Sequence, residues 1–175
     1  MSDIIKWTRT QQLVDRMAQK YNRTPSDKCL LLDISSSMDE YGKIDKLRDL
    51  ADDFKGVRRF VFSDRTRELR PTEMVPCTEG GTGMHSAFEY VKKAGIRHCV
   101  IITDGMPDLE DEALKAAIGL RVDIYYVGPE PAPDFLRKLA EGSGGKYGTA
   151  SLDDLKELGT SIKGLIGSGS GAIQL

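Results

Sequence analysis

The segment Cys29-Leu30-Leu31-Leu32-Asp33-Ile34-Ser35-Ser36-Ser37-Met38 constrains the chain more than any other: a short apolar run stops abruptly at one carboxylate and three hydroxyls. The run is too short to cross a bilayer. It is also too continuous for a strand with one wet face, so it suits the centre of a parallel sheet covered on both sides. Its polar end then falls at the carboxyl edge of that sheet, where open α/β sheets keep their ligand sites. Asp33, Ser35 and Ser37 read D-x-S-x-S there, three hard oxygen donors on one strand end. Taken alone, the same residues could simply cap a following helix.

Length and composition fit one folded domain. The chain has 175 residues, 39% hydrophobic and 30% charged, enough to build a core without covalent staples. A net charge of −2 leaves no broad basic face, so neither a nucleic acid nor a membrane is an expected partner. Met1 to Lys6 lacks a basic region followed by an apolar core, and a cytoplasmic location is the expectation. Cys29, Cys77 and Cys99 are odd in number and lack zinc-type pairing. Reduced thiols follow, two of them in strands as small buried hydrophobes.

Strands and helices alternate along the sequence. Ile4, Trp7, Leu13, Val14, Met17 and Tyr21 recur at helical spacing, so residues 1–27 are expected to be a helix and connector packed on the domain. After the serine loop, Ile44, Leu47, Leu50, Ala51 and Phe54 trace a core-facing helix from about Lys43, with Lys43, Asp45, Lys46 and Arg48 on its solvated face. Val57 to Phe62 reads as a strand and Arg65 to Leu69 as a short edge strand. Pro71 to Gly83 is a loop. A helix follows from Met84 to about Lys93, with His85 as a polar residue of its first turn. The next strand, His98 to Thr103, begins with a histidine expected to do no chemistry. Asp108 reads either as a carboxylate supporting the neighbouring Asp104 loop or as the N-cap of a helix from about Leu109 to Gly119, the cap explaining it as well or better.

Val122 to Val127 is a further strand, and Phe135, Leu136, Leu139 and Ala140 a short helix ended by Gly142. Gly142-Ser143-Gly144-Gly145 lacks the Lys-Ser/Thr ending of a nucleotide-binding loop and reads as a helix stop. A last strand, Lys146 to Thr149, and a last helix through Leu152, Leu155, Leu158 and Ile162 complete the series. The alternation predicts an α/β, doubly wound, mostly parallel central sheet with one short antiparallel edge strand and helices on both faces. Residues 165–175, rich in Gly and Ser, are expected to be a flexible tail.

Two later segments give the serine loop a context. Thr82 stands in Gly80-Gly81-Thr82-Gly83, and Asp104 closes the apolar strand Cys99-Val100-Ile101-Ile102-Thr103. With D-x-S-x-S, in this order and beside these elements, they resemble the metal-ion-dependent adhesion site of von Willebrand factor type A domains. The resemblance runs from about Lys28 to about Gly164, and the domain is placed at 28–164. It implies a Rossmann-like fold and one divalent ion held by Asp33, Ser35, Ser37, Thr82 and Asp104. Mg²⁺ is the expected ion, with Mn²⁺ or Ca²⁺ as substitutes, since all the donors are hard oxygens. It further implies a non-catalytic module that captures an Asp or Glu of a protein partner, in some relatives within a multiprotein complex.

One enzyme class deserves comparison. Haloacid-dehalogenase-like phosphotransferases also place a nucleophilic Asp after a buried strand and use Mg²⁺, a role Asp33 would take. They carry a second Asp two residues later as general acid, where this chain has Ser35. No Ser-His-acid set, zinc motif or Walker loop offers another chemistry. A third class is a structural subunit whose site only stabilises it.

Overall fold

The computed structural model describes residues 26–166. The expected N-terminal helix and the last nine residues of the tail lie outside them. Six strands form one sheet in the order β3-β2-β1-β4-β5-β6. The strands are β1 (Lys28–Asp33), β2 (Arg58–Phe62), β3 (Thr66–Leu69), β4 (His98–Thr103), β5 (Arg121–Tyr126) and β6 (Tyr147–Thr149). All pair in parallel except β3, which runs antiparallel to β2 at the edge. The expected fold class is the one observed.

The connecting helices are α1 (Lys43–Asp52), α2 (Met84–Lys93), α3 (Glu110–Ala116), α4 (Asp134–Gly142) and α5 (Leu155–Ile166). Alternation along each strand divides the core in two. Cys29 and Leu31 of β1 face a layer with Phe60, Phe88, Ile101, Ala113 and Leu136. Leu30 and Leu32 face the opposite layer with Leu47, Phe54, Val100, Leu158 and Ile162. Both faces of β1 are therefore covered, which is why its sequence is an unbroken apolar run rather than an alternating one.

Three boundaries differ from expectation. Helix α3 stops at Ala116, because the chain turns through Ile118 and Leu120, whose amides bond Lys115 and Ala117, and through Gly119 at φ 87°. Leu152 is buried but lies in a turn before α5 rather than within it. Helix α5 extends to Ile166, past the expected end of the domain at Gly164, because Ile162 and Ile166 bury against the second layer.

Strand β1 is central. The chain passes from it to β2 on one side and later returns to β4 on the other, so the strand order reverses between β1 and β4. The carboxyl ends of these two strands flank a topological switch point, the crevice in which open α/β sheets bind ligands. They end in Asp33 and, one residue beyond β4, Asp104.

Candidate functional site

Asp33 is fully buried at the end of β1. Its Oδ1 accepts the Ser35 amide at 2.7 Å, a local turn that aims the next residues back across the strand end. Its Oδ2 accepts the Thr103 hydroxyl at 2.5 Å, tying β1 to β4. Burial pushes the Asp33 carboxyl from 3.8 up to about 6, against the pull of the Ser35 and Thr103 hydrogen bonds and with a further push from the Asp104 charge. The site is thus one where a carboxylate gains from a nearby cation.

The remaining donors follow in a chain. The Ser35 and Ser37 hydroxyls lie 3.2 Å apart. The Ser37 hydroxyl donates to Asp104 Oδ1 at 2.6 Å. The other oxygen of Asp104 is paired with the ammonium of Lys43, the first residue of α1. Four of the five predicted residues are therefore linked through hydrogen bonds around the switch point.

Thr82 arrives on a separate loop that is laced to the serine loop. The Ser36 amide and hydroxyl both donate to the Gly80 carbonyl at 3.1 Å, and the Glu79 amide donates to the Ile34 carbonyl at 2.8 Å. Gly83 packs so closely that a Cβ there would stand 2.7 Å from the Ser63 carbonyl, which explains why a residue without a side chain follows Thr82. The Thr82 amide donates to Asp108 Oδ2 at 3.0 Å, and the Asp108 amide returns a bond to the Thr82 carbonyl at 3.0 Å. A Cβ on Gly105 would lie 3.7 Å from the Thr82 hydroxyl oxygen, so that hydroxyl stands beside the residue following Asp104. The structure brings all five predicted residues to one place.

Several roles differ from the sequence reading. Of the two readings of Asp108, the supporting carboxylate is the one observed and the N-cap is not: helix α3 is preceded by Leu109 with no side-chain cap, and the Asp108 carboxylate holds the Thr82 backbone. Lys43 is not on a solvated face but buried against Asp104. His98 begins β4 as expected, and its Nε2 pairs with Asp123, which is fully buried. Asp123 also accepts the Lys146 amide at 2.6 Å, so this pair fastens β4, β5 and the approach to β6 far from the serine loop. His85 is in the first turn of α2 as expected, with Nε2 3.2 Å from the Ser86 hydroxyl. Its Nδ1 is buried without a partner among the described residues.

Thr103 and Lys43 are the contributors sequence reasoning missed. A signal for Thr103 existed, a hydroxyl one residue before Asp104 in an otherwise apolar strand. Lys43 carried none, because a lysine among charged neighbours on a helix looks solvated.

Among the described residues no three His, Cys, Asp or Glu side chains cluster as a metal-binding group. What the switch point offers is two carboxylates with hydroxyls beside them, a donor set suited to a hard ion.

No protein-family model and no curated protein matches the sequence. Solved structures do. The von Willebrand factor type A structure from Catenulispora acidiphila is similar with a TM-score of 0.66 at 18% identity, over 80% of this chain and 42% of that one. Manganese-loaded TRAP protein of Plasmodium vivax is similar with a TM-score of 0.59 at 19% identity, over 79% of this chain and 72% of that one. The fold is that of a von Willebrand factor type A domain. Proximal thread matrix protein 1 from the mussel byssus, solved with a zinc-occupied MIDAS motif, shares the type A fold at a TM-score of 0.58 and 16% identity, over 77% of this chain and 44% of that one. The chain thus spans less than half the length of the Catenulispora and mussel proteins. At these identities the likeness fixes the type A architecture, and the chemistry of the site rests on this chain's own residues.

Proposed function

We propose that this chain is a von Willebrand factor type A module that binds a divalent cation, Mg²⁺ first, through Asp33, Ser35, Ser37, Thr82 and Asp104, and captures an Asp or Glu of a protein partner there. The observation that carries the reading is the convergence of two carboxylates and three hydroxyl residues from three separate segments on the switch point between β1 and β4. The manganese in the TRAP structure and the zinc in the mussel protein's MIDAS motif support it by likeness of fold.

The donor set fits the ion on two counts. Asp33, buried with its charged form disfavoured, and Asp104, which has recruited an ammonium, both gain from a positive charge. Hydroxyls in place of further acids leave the site with at most two negative charges, so a bound divalent ion supplies an electropositive point able to take an incoming carboxylate. The chain's own residues do the rest. The hydrogen bonds from Ser35 and Thr103 hold the Asp33 carboxylate in one orientation, and Asp108 holds the backbone of Thr82. The module is non-catalytic in this reading: Ser35, where a phosphotransferase carries its general acid, is turned toward Ser37.

The test is calorimetric titration of wild type and Asp33→Ala with Mg²⁺ and Mn²⁺, followed by capture of protein partners in Mg²⁺ against EDTA. Metal binding lost in the variant and partners released by EDTA are expected. Equal affinities in the two proteins overturn the ligand assignment. A partner that stays bound in EDTA overturns its role in capture.

A further inference from the structure

Lys43 is in a place that only Asp104 explains. It is the first residue of α1, where the helix dipole disfavours a cation. Its side chain is 11% exposed, although lysine is rarely buried unless paired. Its ammonium contacts Asp104 Oδ2, the carboxylate whose Oδ1 takes the Ser37 hydroxyl. Beside it, a cleft of about 680 Å³ is lined by Tyr41, Lys46, Gly128 and Asp153, with Lys43 itself on the wall. Lys46, one turn along α1, is different: it pairs with Asp153, which is largely exposed.

We propose that Lys43 is a built-in cation of this site: its ammonium neutralises Asp104 in the metal-free protein, swings into the adjoining cleft when a divalent ion is bound, and so sets the metal affinity. The inference rests on the metal-binding reading above. Two formal negative charges, Asp33 and Asp104, face one positive charge, Lys43. A divalent ion added with the lysine still in place meets a like charge across a single carboxylate, in surroundings too dry to screen it. Release of the lysine removes that repulsion at the expense of the Lys43–Asp104 pair. Metal affinity is thereby lowered, and the metal-free fold is spared a buried, unpaired carboxylate.

Mn²⁺ calorimetry and urea unfolding in EDTA on wild type, Lys43→Gln, Lys43→Arg and Lys46→Gln test this, with Asp33→Ala as the reference for a lost site. Lys43→Gln, which keeps an N–H donor without the charge, should bind Mn²⁺ about tenfold or more tightly, the scale of one close charge removed, and be less stable in EDTA. Lys43→Arg should keep wild-type affinity, and Lys46→Gln should leave both measurements unchanged. In wild type itself, the Lys43 ammonium signal in nitrogen-detected NMR should move on adding Mg²⁺ from that of a carboxylate-bound group to that of a free surface lysine. If Asp33→Ala abolishes binding but Lys43→Gln binds no more tightly than wild type, or the Lys43 signal does not move, the metal site stands and the role of Lys43 falls. If wild type binds nothing and Lys43→Gln does, both proposals gain. If neither protein binds a metal, the ligand assignment falls and this inference with it.

Discussion

Replacing Asp33 by Asn changes how the stability of the metal-free protein depends on pH, and the structure fixes the sign. Burial raises the Asp33 carboxyl from 3.8 to about 6, so the folded protein holds this proton more tightly than the unfolded chain. Between about pH 4 and pH 6 the native state therefore binds more protons, and stability falls as pH rises through that window. The stabilisation from the protonated carboxyl is complete below 3.8 and gone above about 6. A difference of about two pH units at about 1.4 kcal/mol each gives about 3 kcal/mol as the full excursion. Asn lacks the titration. It also keeps only one acceptor oxygen for the Ser35 amide and the Thr103 hydroxyl, a loss of about 1 kcal/mol that does not vary with pH.

Urea unfolding of wild type and Asp33→Asn in EDTA at pH 4.5 and pH 7 separates the two effects. Other carboxylates, such as Glu73, held low chiefly by the Arg70 backbone amide and then by Arg67, and Asp153, held low by Lys46, contribute equally to both proteins and cancel in the difference. The variant should gain on wild type by about 2 kcal/mol between the two pH values, the share of the full excursion that this window spans. An unchanged difference would refute the claim that Asp33 is held in an environment hostile to its charge.

Three further outcomes follow from named contacts. Thr82→Ala should keep the fold and much of the metal affinity, yet weaken capture of an acidic partner by about 1.5–3 kcal/mol, the scale of a hydrogen bond to a charged group, as read by partner titration at saturating Mg²⁺; no change would make Thr82 a turn residue only. Arg59→Met should lower stability by about 2–4 kcal/mol in urea unfolding, the scale of a few buried acceptors left unsatisfied, because the fully buried guanidinium donates to the carbonyls of Ala51, Arg70, Pro71 and Glu73 and pins the loop that leads to Thr82. Gly128→Ala should weaken Mn²⁺ binding while leaving the sheet intact by circular dichroism, since the added Cβ would stand 2.4 Å from the Asp104 carbonyl and must push that backbone aside.

The fold class and the polar cluster at the switch point were both written in the amino-acid sequence. Cys29 to Leu32 and Cys99 to Ile102 are continuous apolar runs because both faces of their strands are covered, and that local necessity is written in consecutive residues. Asp33, Ser35 and Ser37 were legible as the polar end of an apolar strand, and Thr82 and Asp104 joined them through the resemblance of the ordered segments to the type A adhesion site. Which polar side chains support those five emerged from packing between distant segments. Asp108 is open in the sequence between a helix cap and a supporting carboxylate, and the bond it accepts from Thr82, 26 positions away, settles it as the latter. Lys43 reads as solvated and instead neutralises Asp104, 61 positions away. Arg59 sits in an apolar strand with nothing in its neighbourhood to announce four carbonyl acceptors. Periodicity reports whether a side chain faces a core, since that is a property of the local backbone. Which charge it meets there depends on how distant segments cross, and that is settled only when the sheet and its helices pack together.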